Sequence, residues 1–71
     1  MKITYDKQAD AAYIYLASPV ARAARTYPCD PQEVHGMINL DFDEEGRLIG
    51  VEILDASKKL REGALRKATR L

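Results

Sequence analysis

The sequence predicts a small α+β domain: an antiparallel β-sheet of four to five strands, built from hairpins or a meander, with a C-terminal α-helix. Three patterns carry that reading. Ile38, Leu40 and Phe42 alternate with Asn39, Asp41 and Asp43, and after Glu44-Glu45-Gly46 the residues Ile49, Val51 and Ile53 alternate with Gly50 and Glu52. A second alternating pair, Lys2-Ile3-Thr4-Tyr5 and Ala11 to Leu16, flanks the short polar connection Asp6-Lys7-Gln8-Ala9-Asp10. Ala56, Leu60, Ala64, Ala68 and Leu71 then recur at helical spacing and form a narrow apolar stripe.

The first strand places Tyr5 inward with Ile3. In the second, Ala12, Ile14 and Leu16 share one face, while Tyr13 and Tyr15 occupy the other. Ser18-Pro19 ends that strand, because proline has no N–H for a ladder. The alanines and arginines of Val20 to Tyr27 are compatible with a helix. Arg25-Thr26-Tyr27 followed by Pro28 fits a short edge strand better, and the strand is preferred. Asp30-Pro31-Gln32-Glu33 has the cap and proline of one helical turn, but is treated as loop.

For the hairpin from Met37 to Leu54, the two apolar sets share a face only if paired residue numbers sum to an odd value. A two-residue loop at Glu45-Gly46 or a four-residue loop from Asp43 to Gly46 meets that condition, whereas a three-residue loop with a glycine bulge sets Phe42 beside Leu48. Gly46 supplies the positive φ in each case. Asp55 or Ser57 is expected to cap the final helix, which Gly63 is expected to stop or kink.

A chain of 71 residues supports one domain, residues 1–71, with a β-sheet body over 2–55 and a basic helix or tail over 56–71. A domain of this size buries only about 60–65% of its unfolded surface and has room for one small core, so self-association is the expected reinforcement. The single cysteine, Cys29, excludes an internal disulfide and fits a reducing compartment. With no apolar run long enough to span a bilayer and no basic-then-apolar leader after Met1, the expected location is the cytoplasm, with no membrane partner. The net charge of zero conceals a division. Residues 1–55 hold 5 bases and 10 acids, a balance of −5, whereas residues 56–71 hold 6 bases and 1 acid, a balance of +5.

Tyr5-Asp6, Asp10, Tyr13-Ile14, Leu16, Arg25-Thr26 and the unbroken run from Ile38 through Asp41-Phe42-Asp43-Glu44-Glu45-Gly46 to Ser57 resemble the prokaryotic family called domain of unknown function 2283. The likeness covers about residues 2–60 and is most specific from Asp41 to Ser57. It implies the same small sheet, and implies that the basic extension after Leu60 lies outside the shared module. The family has no established activity or catalytic residues, so the resemblance brings no chemistry with it.

Several residue sets invite a chemical reading. Asp41, Asp43, Glu45, Gly46, Leu48 and Glu52 follow the spacing of a calcium loop, but such loops join helices and these flanks alternate as strands. Cys29, Asp30, Glu33 and His35 share one loop, yet a zinc site needs more than one Cys and one His, and a nucleophile needs an oriented base and a pocket. No cofactor or metal is therefore expected. Tyr13 and Tyr15, on a sheet face without an apolar pattern, fit either base stacking or a protein interface, and the acidic body favours the interface. Lys58, Lys59, Arg61, Arg66, Lys67 and Arg70 form a basic tail suited to phosphate, to water, or to the acidic body of its own or a second chain. The expectation is a non-enzymatic interaction module, a homo-oligomer or binder of a small partner protein, that uses Tyr13, Tyr15 and the tail. The alternative is weak nucleic-acid binding through the tail.

Overall fold

A computed structural model describes residues 1–18 and 21–71. Among the described residues six strands and three short helices follow in the order β1 (Lys2–Asp6), β2 (Ala11–Tyr15), β3 (Arg25–Pro28), α1 (Pro31–Val34), β4 (Ile38–Phe42), β5 (Leu48–Leu54), α2 (Ala56–Lys59), α3 (Glu62–Lys67) and β6 (Thr69–Arg70). They form one sheet ordered β3-β4-β5-β2-β1-β6. Every neighbouring pair is antiparallel except β1 with β6, which is parallel, so the sheet is mixed rather than purely antiparallel and has six strands rather than four to five.

The hairpin combines both registers that the sequence allows. Ile38 opposes Ile53 and Leu40 opposes Val51, the odd-sum pairing, but Phe42 opposes Leu48. Ile49 is the extra residue of a β-bulge between Gly50 and Leu48, and it absorbs the difference. At the tip the loop is the three-residue type: Asp43 N–H bonds the Arg47 carbonyl at 2.9 Å, and Gly46, at φ 80°, donates to the Asp43 carbonyl at 3.0 Å. A side-chain oxygen of Asp43 also accepts from the N–H groups of Glu45 and Arg47, each at 2.9 Å.

Alternation and register assign the faces. Ile3, Tyr5, Ala12, Ile14, Val51, Ile53 and Ile38 lie on one side, where they pack with Ala56, Leu60, Leu65 and Ala68 of the C-terminal segment. Tyr5 therefore faces inward as expected. The predicted single helix over 56–71 is instead two short helices and a strand. Leu60 and Arg61 are both extended, so the break precedes Gly63, which lies within α3. Packing explains this. Ala56 and Ala68 are both buried in the same cluster, whereas an unbroken helix would carry them about 18 Å apart. The turn at Leu60-Arg61 brings the chain back, and β6 settles beside β1, with Leu71 N–H bonding the Tyr5 carbonyl at 3.0 Å.

Other boundaries shift modestly. β2 ends at Tyr15, and Leu16 remains tied to β5 through a 2.9 Å bond to the Ile49 carbonyl. β3 is an edge strand, as the proline requires; of the wider Val20–Tyr27 assignment, Val20 lies outside the described residues, as does Pro19. The segment treated as loop forms α1, capped by the Asp30 carboxylate, which accepts from Gln32 N–H at 3.0 Å, and closed by His35 in the left-handed conformation. A local cap and an N1 proline suffice for that turn.

Candidate functional site

Tyr13 and Tyr15 lie on the sheet face opposite the core, their rings edge to face with centroids 4.7 Å apart. Around them the strands place a polar lattice. Tyr13 opposes Glu52, and Glu52 opposes Asn39, whose side-chain amide donates to the Glu52 carboxylate at 2.9 Å. In the next row Tyr15 opposes Gly50, Gly50 opposes Asp41, and Asp41 opposes Thr26. The Tyr13 ring leans across Gly50, and its hydroxyl donates to Asp41 at 2.6 Å. The other carboxylate oxygen of Asp41 accepts from Thr26 Oγ1 at 2.6 Å. A Cβ on Gly50 would collide with the ring and hydroxyl of Tyr13, so the glycine creates the space for this reach. Partial burial, reinforced by the Asp41 carboxylate, pushes the Tyr13 hydroxyl well above the ordinary tyrosine range, which keeps it a neutral donor.

A second network ties the β1–β2 turn to α2. Asp10, in the left-handed conformation, accepts from the Tyr5 hydroxyl at 2.6 Å, from Ser57 N–H at 2.9 Å and from Ser57 Oγ at 2.7 Å, and its carbonyl accepts from Ala56 N–H at 2.9 Å. Asp55, at the cap position, makes no side-chain cap bond, and Ser57 is a donor here. The expected cap by Asp55 or Ser57 is therefore supplied by Asp10 from 47 residues away. Bonds from Tyr5 and then Ser57 hold the Asp10 carboxyl below the usual carboxylate range, and the same bond raises the Tyr5 hydroxyl.

The basic tail does not join the tyrosines. Arg61 and Lys67 line an open concavity with Ile3, Glu62, Gly63 and Ala64, on the core side of the sheet. Arg66 pairs with Glu62 at 2.8 Å, Lys59 Nζ donates to the His35 carbonyl, and the Arg70 guanidinium lies 5.5 Å from the centre of the Tyr5 ring. Lys58 acts on Asp10 only through its field. Tyr13 and Tyr15 are thus on one side of the sheet, and Arg61, Lys67 and Arg70 on the other, so one flat contact does not engage both groups. Among the described residues the ion pairs, Arg47–Glu45 and Arg66–Glu62, each stay within the body or within the tail, and no ion pair links the two halves of the charge division.

The other candidate sets are dispersed. Asp41 and Glu52 are engaged across the sheet face, and Asp43 is folded onto its own turn. Asp30 caps α1, and the Cys29 N–H bonds the Ile38 carbonyl at 2.8 Å. Among the described residues, no three His, Cys, Asp or Glu side chains gather where they could hold a metal ion. Among the described residues, no helix is long and apolar enough to cross a membrane.

With this arrangement of strands and turns in view, residues 2–57 match the family described as protein of unknown function (DUF2283). The chain belongs to this family. No curated protein and no solved structure matches it. The DUF2283 match spans β1 to β5, the polar lattice around Tyr13 and both ends of the Asp10–Ser57 link, and stops before α3 and β6. The resemblance read from the residues extended slightly further, to about Leu60.

Proposed function

We propose that this DUF2283 chain is a non-enzymatic protein-interaction module whose partner is a second copy of itself. The supporting observation is its surface. The chain exposes 5271 Å², whereas a folded monomer of its 8.0 kDa mass is expected to expose about 4,450 Å². The excess, about 800 Å², reflects a small core that leaves more surface exposed than a compact monomer of this mass does, the situation in which small domains draw on a partner subunit. The interior is correspondingly thin. Among the described residues its buried apolar members are Tyr5, Ala12, Ile49, Ile53, Ala56 and Ala68, three of them alanines. A radius of gyration of 12.0 Å and extents of 33 × 28 × 18 Å describe a slab, against about 11 Å for a compact domain of this length.

Sedimentation equilibrium of the full chain from micromolar to millimolar concentration tests the reading. The expected result is a mass approaching twice 8.0 kDa. A monomer throughout that range would overturn it. Weak nucleic-acid binding is the alternative, with Arg61 and Lys67 flanking one concavity. It predicts retention on DNA or RNA that falls steeply with salt and is lost when both are changed to glutamine.

A further inference from the structure

We infer that the concavity between β1 and α3 is a binding site for a small amphiphilic carboxylate, an acid with an apolar body and a single charged head. The site is independent of self-association. It measures about 770 Å³, within the size range of small-molecule sites, and stands open to solvent. The residues of α3 account for it. Leu65 packs the helix against the core, as Ile3 does from β1. Gly63, Ala64 and Lys67, at three- and four-residue spacing, share another side of the helix and line the concavity with Ile3. Gly63 and Ala64 are too small to fill it, and a Cβ added at Gly63 would meet nothing within 4 Å.

Charge selects the head of the occupant and the floor selects its body. The charged side chains around the concavity are Arg61, Glu62 and Lys67. Arg66 pairs with Glu62 at 2.8 Å and neutralises it, so the rim acts as two cations. Among the described residues, Arg61 and Lys67 have no ion pair, side-chain hydrogen bond or ring contact, in contrast to Lys59, Arg66 and Arg70 of the same segment. A carboxylate accepts charge-assisted hydrogen bonds from both a guanidinium and an ammonium. The floor of Ile3, Gly63 and Ala64 is aliphatic and has no ring on which a base could stack, unlike a groove for single-stranded nucleic acid. A bare inorganic anion would use the cations and leave that floor wet, whereas an acid with a short hydrocarbon chain covers it. Apart from Ile3, the lining residues lie beyond the DUF2283 match, so the site belongs to the C-terminal segment of this chain rather than to the matched module.

The test is an amide chemical-shift titration of the full chain with octanoate below its micelle concentration, run beside octanol and acetate. The expected result is saturable shifts at Ile3 and across residues 61–67 with octanoate. Octanol, which lacks the charge, and acetate, which lacks the body, should each bind at least about tenfold more weakly. Changing Arg61→Gln and Lys67→Gln together should weaken octanoate at least about tenfold, and Gly63→Phe should abolish binding by filling the open space. Arg47→Gln at the hairpin tip should leave it unchanged. Arg61 and Lys67 are exposed and glycine is itself unfavourable within a helix, so the variants are expected to fold, with circular dichroism as the check. If a variant unfolds, the three ligands on the wild-type chain still decide the matter. Octanol or acetate binding as tightly as octanoate, or octanoate shifts centred elsewhere, would overturn the proposal. So would cosedimentation with phosphatidylglycerol vesicles in the absence of saturable octanoate binding, which would make the same residues a contact for a lipid surface.

Discussion

Gly50 and Tyr13 work as a pair. The glycine leaves room in a central strand for the tyrosine to lean over it and reach Asp41. Gly50→Ala is expected to destabilise the domain by about 1–3 kcal/mol, because the new methyl must displace a packed ring. In a Tyr13→Ala background the same change should cost much less, and the two urea midpoints measure that coupling. Asp10 is the other residue with more than one task. Its carboxyl is held below the usual carboxylate range, so the folded chain binds its proton less readily than the unfolded chain does. The stabilisation from its charge is complete above the unfolded value of about 3.9 and is lost as pH falls through the lower folded value. Asp10→Asn should therefore lower the melting temperature at neutral pH, and the gap from wild type should narrow as pH falls below about 4. A gap that stays constant into strong acid would assign the loss to geometry rather than to charge.

At the level of elements, α2 shows how a helix of one turn is held. Four residues cannot form a stable helix alone, and its start depends on Asp10 from a distant turn. Ser57→Ala removes the hydroxyl bond to Asp10 but keeps the N–H bond that caps α2, and should cost about 0.5–1.5 kcal/mol, the range for one lost hydrogen bond. Asp55→Gly, at the nominal cap position, should cost nothing, since Asp55 makes no cap bond and adopts φ 53°, which glycine accepts without strain. Denaturant titration of the two variants separates these outcomes. The hairpin makes the same point differently. Its glycine turn imposes one register and its apolar alternation the other, and the bulge at Ile49 lets both hold.

For the whole molecule the ratio of core to surface is decisive. A single core of this size supplies about 3–5 kcal/mol, while Ile53→Ala should remove about 2–5 kcal/mol. Ile53 is 5% exposed and belongs to the core cluster. That variant is expected to be largely unfolded at low protein concentration. If two copies associate, folding is linked to concentration, so the melting temperatures of wild type and variant should both rise across a hundredfold dilution series read from low to high. Melting temperatures independent of concentration would count against self-association.

Alternation by itself determined the strands β1, β2, β4 and β5 and the inward and outward sets on each, and it narrowed the hairpin to a few registers, of which Leu40 with Val51 is the one found, because period two leaves few pairings that bury both apolar sets on one face. The tyrosines could be placed on the second face for the same reason. The tertiary structure alone decided the rest. A two-residue strand such as β6 carries no periodicity, and its parallel place beside β1 follows from Ala68 being drawn back into the core. The broken helix has the same cause, since Ala56 and Ala68 share one cluster and a straight helix would separate them. Asp10 gave no local sign of capping α2, because the bond spans most of the chain.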